Sequence, residues 1–346
     1  MENVENSNNE TNININDKNN KKKTRKKLMI IILSTVLILA ILLLFIGNYF
    51  FNFALNKKVD KSKVFNANKG GVKNKKLEED KIWFDKVGKT VNIYSVQNLR
   101  LNGSIFYANN KEKEKNKDTK NNWIIVIHGY NGESRKMATY VKKLVGNGYN
   151  VLAIDLIAHG KSEGNIISMG GFDSKDLVNW IGYLNSNEKP DNIVIYGVSM
   201  GAATVLNTLD ENLPKNVCGY IEDSGYLNLK QQFAYQLKKM YKLPSFPIID
   251  ASSIVTKIRG GYYFNEVDAK KGLSNTNLYG LLIHGTKDTF VPFNNITEIE
   301  EILKKNNRKY KKQIFEGTKH CEAQNVYETE YWNTIFKYLK EVYNNK

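Results

Sequence analysis

The clearest chemistry in the chain lies in the segment Gly197-Val198-Ser199-Met200-Gly201, in which one serine stands between two glycines. The short apolar run Ile193–Tyr196 precedes this segment, and the helical pattern of Ala202–Leu206 follows it. A G-x-S-x-G motif between a strand and a helix predicts a nucleophile elbow, a turn so tight that only glycine fits on either side. Such a turn holds the serine hydroxyl above the sheet, where it can attack an acyl carbon.

A serine hydroxyl is a poor nucleophile, so it needs a base, and the base needs an acid that orients it. In a strand–elbow–helix arrangement the acid and then the histidine follow the serine along the chain, each just after a strand. The apolar run 281–283 leads into a loop with Asp288, and the run 314–315 leads into a loop with His320. We therefore predict Ser199 as nucleophile, His320 as base and Asp288 as orienting acid.

The choice of base is narrow because the chain has only four histidines, His128, His159, His284 and His320. The first three stand at strand ends or in a loop after a strand, where we expect them to hold neighbouring loops in place. The choice of acid is more open, because Asp223 also follows an apolar run and some enzymes of this kind take their acid from that position. Asp288 is our prediction and Asp223 is the alternative.

Acyl transfer also needs hydrogen-bond donors for the oxyanion that forms in the transition state. The backbone N–H of the residue after the nucleophile supplies one donor in such elbows, and here that residue is Met200. The other donor usually comes from the loop after an early central strand. The run Trp123–Ile127 followed by His128-Gly129-Tyr130 fits this position. We predict the backbone N–H groups of Met200 and Tyr130 as the oxyanion hole.

The elements that must position these residues alternate between buried strands and amphipathic helices. The predicted strands are an antiparallel pair, 90–98 and 101–107, followed by 123–127, 151–154, 193–196, 217–221, 278–283 and 310–315. The predicted helices include 133–145, 172–184, 202–209, 294–304 and 325–343, and 111–120 is predicted to be a charged loop. Continuous apolar strands that alternate with helices predict an α/β fold whose mostly parallel sheet is covered on both faces.

The segment 227–277 interrupts this alternation. Leu229, Phe233, Leu237 and Met240 recur at helical spacing, and after two prolines Ile248, Ala251, Ile254, Val255 and Ile258 do so again. Two short helices inserted above the sheet would form a cap over the serine. Their apolar residues either line an acyl pocket or pack the cap onto the body, and the sequence leaves both open.

Four motifs occur in order at predicted strand ends: H-G-x-x-G from His128, G-x-S-x-G from Gly197, H-G-x-x-D-x-x-V-P from His284 and G-x-x-H from Gly317. Together they resemble the α/β-hydrolase superfamily over residues 90–343. The loop 155–164, with its H-G-x-S-x-G ending, resembles the serine-aminopeptidase-like and monoacylglycerol-lipase-like bacterial branch. This resemblance implies esterase-like activity without naming a substrate.

The N-terminal part of the chain predicts a membrane anchor. Residues 28–47 carry no charge and, at ~1.5 Å per residue, can span the ~30 Å hydrocarbon core of a bilayer. A cleaved signal peptide is the alternative, although its apolar core is usually only ~7–15 residues long. Seven Lys and Arg stand among residues 8–27 and four among residues 48–67. By the positive-inside rule the N-terminus is cytoplasmic, the chain crosses the cell membrane once, and the catalytic domain lies outside.

These observations predict a disordered tail (1–27), a transmembrane helix (28–47), a linker (48–76) and a catalytic domain (77–346) whose cap is about 227–277. The net charge of +16 does not indicate nucleic-acid binding. Residues 1–120 carry 24 Lys and Arg against 12 Asp and Glu, whereas the remaining residues carry 27 against 23. The excess therefore belongs to the N-terminal part, and no nucleic-acid-binding motif accompanies it.

The sequence contains no P-loop and no metal-ligand pattern, so no cofactor and no metal are implied. Its two cysteines, Cys218 and Cys321, fall at opposite ends of predicted strands and are not expected to form a disulfide.

The prediction is a membrane-anchored serine hydrolase that cleaves carboxylic esters or thioesters of small or lipid-like acyl compounds. A serine peptidase with the same three residues is one alternative, and it would need acidic groups for the substrate's amine. The candidates for these groups are Glu222, Asp223, Asp250, Glu266 and Asp268. A non-catalytic, anchored binding protein is the other alternative.

Overall fold

A computed structural model describes residues 2–60, 75–109 and 121–344. Most of the predicted linker, residues 61–74, and the predicted charged loop 111–120 lie outside the described residues.

Eight strands form one sheet in the order β1-β2-β4-β3-β5-β6-β7-β8. They are β1 (Lys89–Tyr94), β2 (Arg100–Phe106), β3 (Asn122–Ile127), β4 (Asn150–Ile154), β5 (Asn192–Val198), β6 (Val217–Asp223), β7 (Tyr279–Gly285) and β8 (Tyr310–Phe315). The pairs β1–β2 and β2–β4 are antiparallel, and all other neighbours are parallel. The predicted mostly parallel sheet, entered through an antiparallel pair, is confirmed.

Eleven α-helices are present in the described part of the chain. They are α1 (Glu2–Leu55), α2 (Lys75–Val87), α3 (Ala138–Val145), α4 (Gly171–Asn187), α5 (Met200–Thr208), α6 (Leu229–Tyr241), α7 (Ile248–Gly260), α8 (Lys270–Asn275), α9 (Asn294–Lys305), α10 (Ala323–Val326) and α11 (Glu328–Asn344).

The helices cover both faces of the sheet because each central strand is apolar on both sides. In β3, Ile125 and Ile127 belong to the core shared with α4, α5 and the cap. Ile124 and Val126 belong to the core on the opposite face, shared with α2, α3 and α11. All four side chains are fully buried. This explains why the sequence of β3 is a continuous apolar run and does not alternate between apolar and polar residues.

Two predicted helices differ in their boundaries from those expected, and one helix is additional. The predicted helix 133–145 begins as a 3-10 turn, Ser134–Met137, and becomes α-helical only at Ala138. The predicted helix 325–343 is divided into α10 and α11. Helix α2 is an additional helix that packs on α3, and Asp80 and Phe84 are the only two buried positions in it. Two buried residues among many charged ones are too weak a pattern for prediction.

Helix α1 is the longest helix, and its stretch Lys21–Leu55 is long and apolar enough to cross a membrane. The structure continues this helix through residues 2–27, predicted as a disordered tail, and eight residues beyond 47, where the linker was expected to begin. The extension beyond 47 has a clear physical reason. Phe51 and Leu55 are fully buried, so the end of α1 packs as part of the core of the domain that contains the sheet.

The cap is the segment between β6 and β7, and both predicted apolar stripes lie on helices, α6 and α7. In α7, Ile248, Ala251 and Val255 are buried. Ile254 and Ile258, which we placed in the same stripe, are 46% and 75% exposed. The buried face of α7 is therefore narrower than expected, and α1 packs against this helix near Gly47.

Candidate active site

Ser199 stands at the sharp turn between β5 and α5. Its φ of 57° and ψ of −118° lie in a region that residues other than glycine rarely adopt. A Cβ atom added to Gly197 would meet the carbonyl oxygen of Gly201 at 2.1 Å, and one added to Gly201 would meet that of Ile127 at 2.3 Å. The structure therefore contains the strained elbow that the two glycines predict.

The three residues predicted as nucleophile, base and acid lie next to one another at the carboxyl edge of the sheet. The Ser199 Oγ is 2.8 Å from Nε2 of His320, and Nδ1 of His320 is 2.6 Å from Oδ2 of Asp288. They follow three strands, β5, β8 and β7, so only the tertiary structure brings them together. The arrangement leaves His320 able to accept the serine proton at Nε2 while Asp288 holds its Nδ1–H.

Asp288 is buried and held in place by its own loop. Its Oδ1 accepts hydrogen bonds from the backbone N–H groups of Phe290 and Val291, over 2.8 and 2.9 Å. Burial raises the pKa of Asp288, but hydrogen bonds from His284 and His320 outweigh it and hold the pKa well below its usual range. Asp288 is therefore a fixed carboxylate at neutral pH.

Asp223, the alternative acid, has other partners. Its Oδ2 accepts a hydrogen bond from the Tyr331 hydroxyl over 2.5 Å, and its Oδ1 accepts one from Ser224 over 2.9 Å. Its backbone carbonyl accepts the Ser199 N–H over 2.8 Å. The backbone of Asp223 therefore holds the elbow in place, but its side chain is not the partner of His320. The ring of His320 donates to Asp288.

The two residues predicted to supply the oxyanion hole flank Ser199. Met200 is the first residue of α5, so its N–H has no acceptor within the helix. The loop with Tyr130 passes beside the serine, because a Cβ added to Gly129 would lie 3.1 Å from the Ser199 Cβ. The Tyr130 side chain extends away, and its hydroxyl donates to the carbonyl oxygen of Ala54 over 2.6 Å.

The other three histidines hold loops around the site. His128 accepts the Leu156 N–H at Nε2 over 3.1 Å, and His159 accepts the Asn131 N–H over 3.3 Å. Burial lowers the pKa of both rings, that of His159 to about 3, so both are neutral at pH 7.

His284 is the third of these histidines, and its interaction with the site is closer than the sequence indicates. Its Nε2 lies 3.0 Å from the Val291 carbonyl oxygen and 3.4 Å from Oδ2 of Asp288. Behind it lies Glu222, fully buried, whose pKa is raised by burial to about 8. Among the described residues, Nδ1 of His284 and Oε1 of Glu222 have no hydrogen-bond partner. The sequence shows only that Glu222 and His284 lie near the ends of two strands. This is insufficient to predict that they are close to each other in the folded chain.

Both cysteines are free thiols, as expected. Burial raises the pKa of the Cys321 thiol well above its usual value, although Cys321 is adjacent to His320 in the chain. The thiol is therefore protonated at neutral pH and is unsuited to nucleophilic attack.

An apolar cavity opens beside Ser199, with an empty volume of about 820 Å³ including its open mouth. One side consists of Phe233, Leu237 and Met240 from α6, three of the four residues in the first predicted stripe. Among the described residues that line the cavity, none is charged.

The opposite side of the cavity comes from a part of the chain that sequence reasoning placed outside the domain. Phe50, Phe53 and Ala54 of α1 line the same cavity as Ser199. A signal was present in the sequence, because small and apolar residues recur at helical spacing from inside the predicted span to beyond its end, at Leu43, Gly47, Phe50, Phe51, Ala54 and Leu55.

A family model described as "Serine aminopeptidase, S33" matches residues 118–275, which include the elbow, the Tyr130 loop and most of the cap. The sheet order, the elbow and this match all indicate the same fold. The chain is an α/β-hydrolase. It is also similar to the uncharacterized protein YqkD of Bacillus subtilis (strain 168), with 28% identity over 219 residues that cover 63% of the hydrolase and 71% of YqkD.

Solved structures with a similar fold include an esterase and a peptidase. The Pyrococcus furiosus esterase Pf2001 has a TM-score of 0.59 and 25% identity, over 74% of the hydrolase and 91% of the esterase. The acylaminoacyl peptidase of Pyrococcus horikoshii has a TM-score of 0.55 over 75% of the hydrolase and 43% of the peptidase. At 15% identity, the peptidase shares the fold and supports no statement about substrate.

Proposed function

We propose that the hydrolase is a membrane-anchored esterase that cleaves carboxylic esters or thioesters through an acyl-enzyme. Ser199 attacks the acyl carbon, and Nε2 of His320 takes the hydroxyl proton as the Oγ–C bond forms. The protonated His320 then gives this proton to the leaving alcohol or thiol. Water, deprotonated by the same histidine, attacks the acyl-enzyme and releases the carboxylic acid and Ser199.

The observation that carries this proposal is the hydrogen-bonded series Ser199–His320–Asp288 beside an uncharged cavity. Asp288 keeps the imidazole in one tautomer and stabilises its protonated form. The Met200 and Tyr130 amides are the proposed donors to the oxyanion, worth roughly 2.7–4 kcal/mol each in the barrier.

The same cavity favours an ester over a peptide substrate. An aminopeptidase must bind a cationic amine, and the acidic residues considered for this role have other partners. Asp250 pairs with Lys230 at 2.7 Å and Glu266 with Lys257 at 3.0 Å, while Asp268 accepts from Asn228 over 2.8 Å. Glu222 and Asp223 lie beneath the site, fully buried. An apolar lining without a carboxylate suits an acyl chain.

Packing at the end of α1 favours an uncleaved anchor over a cleaved signal peptide. Phe51 and Leu55 are almost completely buried in the domain. Removal of the end of α1 would therefore expose an apolar surface beside the cap. With seven Lys and Arg before the span and four after it, we propose a cytoplasmic N-terminus and a catalytic domain on the outer side. Protease accessibility of the domain in intact cells tests this orientation, and protection of the domain would reverse it.

The proposed activity is tested by fluorophosphonate labelling of the full-length chain in detergent, with Ser199→Ala as the matched control. A p-nitrophenyl ester series from acetate to palmitate is assayed beside amino-acid p-nitroanilides. We expect labelling that Ser199→Ala abolishes, together with ester turnover. Cleavage of the anilides without ester turnover would indicate the peptidase. No labelling of folded protein would indicate a non-catalytic binding protein.

A further inference from the structure

The last two turns of α1, Gly47–Leu55, are in backbone contact with the cap. A Cβ atom added to Gly47 would meet the carbonyl carbon of Ala251 at 2.7 Å and the backbone nitrogen of Ser252 at 2.9 Å. Helices approach this closely only where a small residue allows it. Helix α7 therefore lies directly against α1 at the point where the apolar run of the anchor ends.

Polar contacts fix this segment further. Arg259 lies over the Phe51 ring at 4.3 Å, and its guanidinium also donates to Asn52 over 3.2 Å. The carbonyl of Leu55 accepts the Ile167 N–H over 2.8 Å. The Ala54 carbonyl accepts the Tyr130 hydroxyl described above. The segment Gly47–Leu55 is thus bonded to the cap, to the loop before α4 and to the loop of the proposed oxyanion hole.

The aromatic residues of the segment face α6 across the cavity. The ring of Tyr241, near the end of α6, makes edge-to-face contacts with Phe50 at 5.2 Å and Phe53 at 5.8 Å. All three rings line the cavity that contains Ser199. These rings therefore limit how far an apolar ligand can extend from the serine between α1 and α6.

We propose that Gly47–Leu55 is a fixed wall of the acyl-binding site and that Phe50 and Phe53 limit the length of the acyl chain that fits. This inference rests on the proposed esterase function. The apolar run ends at Gly47, so at ~1.5 Å per residue Phe50 and Phe53 lie within ~10 Å of the end of the proposed membrane span. The anchor then has two roles, because the helix that crosses the membrane also selects the substrate's acyl chain.

The test measures chain-length preference in the full-length chain. Phe53→Ala lengthens the space, and we expect the optimum in kcat/KM over the p-nitrophenyl ester series to move to longer chains. Each additional methylene that the cavity buries should raise kcat/KM by roughly a factor of four. Ala54→Leu fills the cavity from the same wall and should move the optimum to shorter chains. The two variants are expected to move the optimum in opposite directions, so either one is sufficient for the test if the other folds poorly.

Phe45→Ala is the matched control, because Phe45 lies on the same helix but is 69% exposed. We expect it to leave the chain-length profile unchanged. Equal changes in kcat/KM for every chain length, or no change, in variants that fluorophosphonate still labels would overturn the wall while leaving the esterase proposal intact. Absence of labelling in the wild-type chain would instead overturn the proposed function.

Discussion

The Tyr331 hydroxyl donates a hydrogen bond to Oδ2 of Asp223 over 2.5 Å, although 108 residues separate the two. Helix α11 thereby satisfies the carboxylate that the sequence presents as an alternative catalytic acid. Ser224 donates to the other oxygen of Asp223, and Nδ1 of His320 donates to Asp288 instead, over 2.6 Å. The two carboxylates at the edge of the sheet thus have different surroundings, and their substitutions should have different effects.

We expect Asp288→Asn to lower kcat by roughly 10⁴-fold, because an amide at this position no longer holds the imidazole in the required tautomer. Asp223→Asn should retain most of the turnover and lower the thermal stability, since an amide has one oxygen to accept the hydrogen bonds that two carboxylate oxygens accept from Tyr331 and Ser224. Steady-state kinetics on one ester and thermal denaturation distinguish the two effects. Retained turnover in Asp288→Asn and its loss in Asp223→Asn would assign the acid to Asp223.

Glu222→Gln should change how stability depends on pH. The pKa of Glu222 is about 8 in the folded chain and near its ordinary value of 4.5 when unfolded. Because the folded pKa is the higher one, its contribution to stability is present below pH 4.5 and is lost as the pH rises through about 8. The loss amounts to about 1.4 kcal/mol per pH unit within that window.

The amide of Glu222→Gln keeps an oxygen for the Gly225 N–H, which Glu222 accepts over 2.9 Å, and it does not ionise. The melting temperature of the variant relative to wild type should therefore rise from pH 5 to pH 8. Glu301→Gln, at an exposed position, serves as the control and should follow the wild-type curve. Parallel curves for Glu222→Gln and wild type would contradict the burial argument.

Gly201→Ala should disrupt the elbow, because the added methyl group would meet the Ile127 carbonyl oxygen at 2.3 Å. We expect a loss of unfolding free energy at or above the ~1–3 kcal/mol usual for overpacked sites, together with loss of fluorophosphonate labelling. Gly182→Ala, on the exposed face of α4 with nothing within 4 Å, should instead stabilise the helix by ~0.5–1 kcal/mol. Denaturant unfolding of both variants is the measurement, and equal effects would refute the steric argument.

Tyr130→Phe should loosen the contact between α1 and the loop beside Ser199 by removing the hydroxyl that donates to Ala54. A buried acceptor left without its donor costs about 1–3 kcal/mol, and we expect a loss of unfolding free energy in that range. Tyr235→Phe removes an exposed hydrogen bond, to the Thr289 carbonyl over 3.1 Å, and should have little effect. The idea fails if both variants unfold at the same denaturant concentration as wild type.

The sequence alone was sufficient to predict the central sheet and the loops that contain Ser199, Asp288 and His320. The reason is local: a buried strand appears as an apolar run, and an elbow needs two glycines at fixed positions around its serine. Parallel strands end at the same edge of a sheet, so the order of motifs along the chain predicts which loops meet. The α/β-hydrolase fold follows from these motifs, and the structural similarity to an esterase agrees with it.

Only the tertiary structure decided which surfaces meet across long separations in the chain. The contact of Gly47 with Ala251 depends on the fit between two helices about two hundred residues apart, and periodicity within either helix does not specify its partner. The same holds for Tyr331, which satisfies Asp223 from the last helix, and for Glu222 behind His284. The end of α1 therefore appeared in the sequence as a linker, whereas in the folded chain it closes the cavity beside Ser199.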